Sequence, residues 1–396
     1  MNPFLTLDDV ELKGQNVLLR LDLNMPFEGE DVRDPTRLQV SYKTLQKLKD
    51  SGAKTLIVTH MGRPKGMDKS LSTKKLIPVL ESFMNAKVHF CDKVEKIEAA
   101  LNQAQEGEFI LFENVRFFKG EEADDDAFAK ELSKPFSIFI NDAFSVSHRA
   151  HASVHAVTKF IPLRVAGYHF LDEVNHLNDV FDPEKRPVVA IIGGSKVSTK
   201  IKILENLLKV CDFIIVGGAM ANTFLVANGA LKPGASLFEA DFIQEAKNIL
   251  NRNFLKFILP RDGVVTNDVK NPEQVIKVDI VNVPKIYQLV DIGAKTLERI
   301  KETLEGAKTI IWNGPVGVFE QKPFDKGSIE IAKLLAEKTE NEGVITIAGG
   351  GDTLACLGEY KDKLTYVSTA GGAFLEWLEG RELPGVKVLY RHFKTG

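Results

Sequence analysis

The sequence predicts an α/β protein of two Rossmann-like domains, each a parallel sheet flanked by helices, joined by an interdomain helix with a cleft between them. Three observations carry that expectation. Short β-branched or aromatic runs alternate with amphipathic helical patterns, and strand, helix, strand order builds parallel sheets. A length of 396 residues exceeds what one hydrophobic core usually supports. Asp182-Pro183-Glu184-Lys185-Arg186-Pro187 then sets two prolines among charges just before a new apolar strand, which marks a boundary. The expected domains are 1–170 and 188–384, with helix and linker at 171–187.

In the first half the strands are expected at 16–22, 55–60, 109–113 and 137–141, with an amphipathic helix at 37–49. The segment 170–181 reads as the helix that joins the domains. In the second half the apolar runs at 188–192, 213–216, 256–259, 309–312 and 344–348 repeat the scheme. The sequence has no fixed-period repeat, which excludes a solenoid or propeller. In open α/β sheets ligands bind beyond the carboxyl ends of the strands, so chemistry is expected there.

Composition narrows the function. Hydrophobic residues at 44% and charged residues at 27% are those of a globular chain rather than a disordered one. No apolar run approaches the roughly 20 residues that span a bilayer. Near the start stand Asp8, Asp9 and Glu11 in place of a basic, apolar leader, so a cytoplasmic protein is expected. Cys91, Cys211 and Cys356 form no CxxC pair and are expected to be buried thiols, neither a disulfide framework nor a zinc ribbon. With 51 Lys and Arg against 54 Asp and Glu there is no basic excess for a nucleic acid.

Each first-half strand ends in a polar cluster. These are Asp22-Leu23-Asn24-Met25-Pro26, His60-Met61-Gly62-Arg63-Pro64, Glu113-Asn114-Val115-Arg116, and Asn141-Asp142-Ala143-Phe144 with His148-Arg149-Ala150-His151. Arg37 opens the helix after the first. Arginine grips carboxylate or phosphate with two parallel hydrogen bonds and is less costly to desolvate than lysine, so a small, multiply anionic ligand is implied. Any one arginine could be a surface ion-pair partner, but four strand ends in succession argue otherwise. His148, His151 and His155 have spacings that suit zinc, yet Arg149 among them and the lack of a carboxylate at ligand spacing favour anion binding or core-edge packing. The acidic run Glu121-Glu122-Ala123-Asp124-Asp125-Asp126 reads as a solvated helix start.

The second half supplies glycines and lysines. Gly193-Gly194-Ser195-Lys196-Val197-Ser198-Thr199-Lys200 follows a strand, and its two lysines, four apart, are expected on one face of the first helical turns. The segment matches neither GxxxxGK[ST] nor GxGxxG, which disfavours a nicotinamide-dependent dehydrogenase. Gly217-Gly218 can admit a flat base, and Trp312-Asn313-Gly314-Pro315-Val316-Gly317-Val318-Phe319-Glu320 is a rigid apolar loop whose acid suits a ribose diol. Gly349-Gly350-Gly351-Asp352-Thr353 joins a strand to a helix start, where Cβ-free backbone approaches an anion and Asp352 can hold its cation. Ser368-Thr369-Ala370-Gly371-Gly372-Ala373 is one more strand-to-helix turn. Together they describe a nucleotide site with Asp352 as the Mg²⁺ ligand.

From end to end the chain resembles phosphoglycerate kinases. The resemblance rests on Asp22-Leu23-Asn24, His60-Met61-Gly62-Arg63-Pro64, His148-Arg149-Ala150-His151, Lys196 with Lys200, the 312–320 loop, the 349–353 turn and Leu383-Pro384-Gly385-Val386. It implies that Asp22, Asn24, Arg37, His60, Arg63, Arg116 and Arg149, with Leu23, Met61 and Gly62 beside them, bind 3-phosphoglycerate or 1,3-bisphosphoglycerate. Lys200, Glu320, Gly350, Gly351, Asp352 and Thr353 would hold ATP or ADP, with Gly194, Ser195, Gly217, Gly218, Asn313, Pro315 and Val318 around them. Lys196 and the helix start at Gly371 and Gly372 would approach the migrating phosphoryl group, so that Arg37, Lys196, Lys200, Gly371 and Gly372 form the catalytic set. The tail 385–396 would pack on the first domain, and the enzyme would be a monomer that needs Mg²⁺. The chain departs from the family at Ser145-Val146-Ser147, where Gly-Thr-Ala is usual, at Ala370, where a third glycine is usual, and at Ser195, where alanine often precedes the lysine.

Such chemistry suits the residues. Transfer between a carboxylate and a nucleotide phosphate needs no general base, because both nucleophiles are ionised at neutral pH, and catalysis then rests on positioning and charge neutralisation. His60, His148 and His151 are accordingly binders. An acyl phosphate must also be kept from water, so domain closure is expected, with hinges at 167–172 and 368–372. The rival of a different class is a nonenzymatic two-domain anion-binding protein, against which Lys196, Lys200 and Asp352 argue.

Overall fold

A computed structural model describes residues 3–29 and 31–391. The chain divides into two compact units, one formed by the chain up to Val174 together with the segment from Glu382 onward, the other by Asn175–Arg381. The division falls inside the helix Tyr168–Asp179, which occupies most of the segment expected to be helical.

The first unit is built on a seven-stranded sheet in the order Leu5–Thr6, Leu163–Ala166, Ile138–Asn141, Asn16–Arg20, Lys54–Val58, Phe109–Phe112, Val88–Cys91, and every pairing is parallel. Four of these are the expected strands; three stop short at the carboxyl end, where polar residues leave the ladder, while Ile138–Asn141 ends where expected and begins one residue later. Val88–Cys91 and Leu163–Ala166 were not anticipated, being short and carrying His89 and Arg164. The expected helix at 37–49 is two helices, Thr36–Val40 and Tyr42–Ser51. At the junction the Ser41 hydroxyl donates to the Arg37 carbonyl at 3.1 Å, a bond that bends helices. Val17 and Leu19 on the central strand pack with Leu45 and Leu48 in one core, each fully buried and each contributing roughly 1.5–3 kcal/mol of hydrophobic free energy.

The second unit has a six-stranded parallel sheet in the order Phe257–Ile258, Phe213–Val216, Val188–Ile192, Thr309–Asn313, Ile345–Gly349, Tyr366–Ser368. A three-stranded antiparallel sheet, Val275–Asp279, Asp262–Thr266, Gln288–Ile292, adds to the parallel scheme that the sequence suggested. It covers its own apolar cluster of Leu225, Leu231, Val265, Ile280 and Val283. In the six-stranded sheet the chain winds outward both ways from Val188–Ile192; in the seven-stranded sheet it leaves Asn16–Arg20 for Lys54–Val58 on one side, fills the edge strand Val88–Cys91 before Phe109–Phe112, and returns to Ile138–Asn141 on the other side. The strand order therefore reverses beside Asn16–Arg20 in one unit and beside Val188–Ile192 in the other, and a crevice opens at those carboxyl ends.

Three further expectations are corrected or limited. The 193–200 segment is irregular and the helix begins only at Ile201, so Lys196 and Lys200 do not share a helical face. In the acidic run Asp125 caps the helix Asp126–Ser133 as expected, but Glu121 is fully buried. Of the expected tail, Gly385 donates to Ser147 O at 2.8 Å and Tyr390 stacks on Phe4 at 5.1 Å, while 392–396 lie outside the described residues.

Glycines set how closely the second unit's strand ends approach. A Cβ on Gly193 would stand 2.1 Å from the Pro315 carbonyl oxygen, and one on Gly217 would stand 2.4 Å from Val316 Cγ1. Gly193→Ala should therefore destabilise the second unit by about 1–3 kcal/mol, lowering its Tm by about 2–4 °C per kcal/mol, whereas Gly351→Ala, which opens into free space, should stay within about 0.5 kcal/mol. Calorimetry of both variants checks the contrast; equal Tm values would contradict the packing account.

Candidate active site

In the first unit four chain segments converge at the point where the strand order reverses. Asp22 follows the central strand, and its Oδ2 accepts hydrogen bonds from the Arg37 guanidinium and the Ser145 hydroxyl. His60 Nδ1 lies 4.0 Å from Asp22 Oδ1 and 3.4 Å from the buried Arg20 guanidinium. Burial alone would raise the Asp22 pKa, but His60, Arg37, Ser145 and Arg20 outweigh it and keep the carboxyl well below its ordinary value. For His60, burial outweighs the attraction of Asp22, and Arg20, Arg116 and Arg37 add to the effect, so the imidazole is neutral at physiological pH.

The neighbouring turn is fastened to this set. Asn24 Oδ1 accepts from Gly62 N at 2.8 Å, and Arg116 donates to the Gly62 carbonyl at 2.6 Å. Asn114 Nδ2 holds the Met61 and Leu71 carbonyls at 2.8 Å each. Arg116 Nε is buried with no hydrogen-bond acceptor among the described residues, its nearest carboxylate being Glu122 at 3.6 Å. Burial, Arg20 and Arg149 all push the Arg116 pKa down, and burial with Arg116, Arg20 and Arg149 pushes His151 down to about 4. The cations thus crowd one another, which suits a multiply charged anion. Arg149 donates to His148 Nε2 at 3.1 Å. Arg63 is exposed and no hydrogen bond ties it to the cluster, while Leu23 and Met61 are buried, the Leu23 N–H donating to Thr59 Oγ1 at 2.9 Å and the Met61 carbonyl held by Asn114.

In the second unit the glycine turns are tied together by side chains. Asn313 Nδ2 donates to the Gly349 carbonyl at 2.6 Å, and its Oδ1 accepts from the Lys200 ammonium. Thr353 Oγ1 donates to Gly349 O at 2.9 Å and accepts from Gly314 N at 2.7 Å, so its hydroxyl serves the fold. Gly350 adopts φ +99°, where a Cβ would also meet Asn313 Nδ2 at 2.7 Å. Burial pushes Lys200 down to about 8, against the pull of Asp352 and Glu379. Lys196 and Asp352 are exposed, and neither side chain has a hydrogen-bonding or ion-pair partner among the described residues.

Beside these turns lies a cavity of about 350 Å³. Gly194, Ser195, Gly218, Pro315, Val318 and Glu320 line it, with Asp352 at its edge. Gly217, Gly350, Gly351, Gly371 and Gly372 do not: Gly217 packs against Val316, and Gly372 starts the helix Gly372–Leu378. Its volume is in the range of small-ligand pockets.

The phosphoglycerate kinase family model matches residues 7–381. The chain is 43% identical to the phosphoglycerate kinase of Chelativorans sp., covering 99% of this chain and all of that one, and 42% identical to that of Sinorhizobium fredii over 98% and 99%. The solved structure of phosphoglycerate kinase from Coxiella burnetii superposes with a TM-score of 0.92 at 36% identity over 99% of this chain and 100% of that one. That of Pyrococcus horikoshii gives 0.82 at 28% identity over 97% and 98%. The chain belongs to the phosphoglycerate kinase family. It is an enzyme of the transferase class with phosphoglycerate kinase activity.

Where phosphoglycerate kinases usually carry Gly-Thr-Ala, both serines of Ser145-Val146-Ser147 are hydrogen-bonded. Ser145 holds Asp22, and Ser147 donates to the Ala143 carbonyl at 3.1 Å and accepts from Asn141 Nδ2 at 3.1 Å. The sequence reading missed Arg20, although a charged residue closing an apolar strand was a visible signal. It also missed the cavity's far wall, made by Gln288–Ile292 with Asn222 and Leu237, because the antiparallel sheet itself was not recognised.

Asp291 on that wall is buried, its oxygens accepting from Ile292 N at 2.9 Å and Gly327 N at 2.8 Å. Burial outweighs these bonds and pushes its carboxyl up to about 7. Between pH 4 and 7 the folded form then holds a proton that the unfolded chain has lost, so this group's contribution to stability falls as pH rises through that window. Asp291→Asn should flatten the dependence of unfolding free energy on pH between 4 and 7; denaturant titrations that keep the wild-type slope would contradict the assignment.

Proposed function

We propose that this enzyme catalyses reversible Mg²⁺-dependent phosphoryl transfer from 1,3-bisphosphoglycerate to ADP, giving 3-phosphoglycerate and ATP, with the acid held in the first unit and the nucleotide in the second. The observation that carries the reading is the division of labour. The crowded Arg and His cluster lies wholly in the first unit, and the cavity, the glycine turns and Lys200 lie wholly in the second.

The chain's own groups supply positioning and charge. Arg37 gives one terminal nitrogen to Asp22, which leaves the others for the transferring phosphoryl group. His60 and His151, neutral at pH 7, bind as hydrogen-bonding groups without adding charge. Lys200, with its pKa near 8, is mostly protonated at pH 7, and a phosphate chain against it favours that charged form further. Lys196 approaches the migrating group from an irregular loop that Ser198 anchors to Glu239 at 2.6 Å. Among the described residues there is no cluster of three or more metal-binding side chains. The single free carboxylate of Asp352 fits Mg²⁺, which one or two carboxylates and substrate phosphates commonly hold. When bound, the ion would neutralise charge on the phosphates.

Because the two substrates belong to different units, transfer requires the units to close over them and exclude water from the acyl phosphate. On this reading the enzyme acts as a cytoplasmic monomer on small anions, in keeping with a net charge of −3 that offers nothing to a nucleic acid.

ADP release from ATP on addition of 3-phosphoglycerate, with and without Mg²⁺, tests the assignment. Wild type should be active only with the metal, Lys200→Ala should be strongly impaired, and Arg37→Ala should lose about 10²–10³-fold in kcat with a much smaller change in KM. Normal turnover with only weakened binding would remove Arg37 from the transfer step. No activity would leave a nonenzymatic anion-binding protein.

A further inference from the structure

Glu121 is a buried charge for which the transfer chemistry has no use. It lies in the short helix Lys119–Glu122, at the head of an acidic run whose other members are at least partly solvated, and it is fully enclosed. Its Oε2 accepts from Ser153 N at 2.8 Å and its Oε1 from the Ser153 hydroxyl at 2.7 Å. Ser153 Oγ in turn accepts from Arg20 Nε at 2.9 Å. Arg20, also buried, places NH2 3.4 Å from His60 Nδ1 and donates through NH1 to the Leu21 carbonyl. His151 Nδ1 stands 3.7 Å from Glu121 Oε1.

The contacts form one line: Glu121, Ser153, Arg20, His60, Asp22, Arg37. Its inner end is anchored, since Ala152 N also donates to the Glu121 carbonyl at 2.9 Å. Its outer end is the cluster assigned above to the acid. Both carboxylate oxygens of Glu121 accept hydrogen bonds, an arrangement that suits the ionised form. Burial raises its pKa, and Arg20, Ser153 and Arg116 oppose that rise.

We propose that Glu121 is a positioning residue for the acid-binding half-site: through Ser153 it fixes the Arg20 guanidinium, and through Arg20 the His60, Asp22 and Arg37 set that grips phosphoglycerate. The inference rests on the placement of the acid at that cluster. Coulomb's law alone gives a carboxylate near an anion site the opposite role. If Glu121 acted only as a negative charge, neutralising it would tighten anion binding. If it orients Arg20, neutralising it loosens the grip, because a guanidinium shifted by a fraction of an ångström no longer holds its partners in productive geometry.

The sign of the effect is the test. In the full-length enzyme Glu121→Gln should raise the KM for 3-phosphoglycerate about tenfold and leave the KM for ATP within about twofold. Ser153→Ala, which cuts the line without changing charge, should do the same. The double variant should be no worse than either single one, as for residues that act through one path. An unchanged or lowered KM for 3-phosphoglycerate in both single variants would overturn the proposal, as would an equal rise in the KM for ATP, which marks general loss of structure. Arg116→Ala, outside the line, separates the two readings. If it raises the KM for 3-phosphoglycerate while the Glu121 and Ser153 variants do not, only the positioning role fails. If none of the three changes it, the placement of the acid fails as well.

Discussion

Positive charge held out of water at the ends of parallel strands is the constraint to which the first unit answers. Arg20 is wholly buried, and Arg116 and Arg37 are partly so. Removing one partner of a buried ion pair costs roughly 3–5 kcal/mol, several times the roughly 1 kcal/mol net worth of an ordinary hydrogen bond. The cluster therefore needs internal anions, and Asp22 and Glu121 both supply them to Arg20. Two carboxylates do not balance the several guanidiniums around them. On the proposed function the remaining positive potential serves the acid, at the strand ends where ligands of open α/β sheets bind.

On the proposed function the second unit holds the nucleotide, and its strand ends are built by different means. A nucleotide is long and partly apolar, and it needs backbone brought close to phosphates rather than a concentration of arginines. Gly193 N bonds the Asn313 carbonyl and Gly194 N the Pro315 carbonyl, both at 2.9 Å, so the two central strand ends lie almost in contact. The buried Trp312 donates its indole N–H to the Gly314 carbonyl at 2.8 Å, which fixes the loop from below without an unpaired polar group. Asn313 then sets Lys200 and the Gly349 turn together. Among the glycines expected at the ligand, Gly217 packs against Val316 and Gly350 against Asn313, and Thr353 is a fastener between turns.

Much of this was legible in the sequence because it depends on local pattern. Apolar runs ending in Asp22, His60, Glu113 and Asn141 marked the strand ends, and their polar clusters marked the first half-site proposed here. Gly349-Gly350-Gly351-Asp352-Thr353 marked the second. What escaped depends on contacts between segments remote in sequence. Nothing near Glu121 announces that Ser153, 32 residues on, removes it from solvent. Asp291 and Leu289 reach the cavity only because an antiparallel sheet folds beside the parallel one. The short strands Val88–Cys91 and Leu163–Ala166 pair at the sheet's margins, where periodicity is weakest.

On the proposed function the acid and the nucleotide bind to different units, which transfer must bring together. Small-angle X-ray scattering of the enzyme with no ligand, with each substrate alone, and with 3-phosphoglycerate and Mg-ATP together tests it most directly. A smaller radius of gyration with both substrates than with either alone is the predicted result. An unchanged radius at saturating concentrations of both, in enzyme that turns over normally, would contradict it.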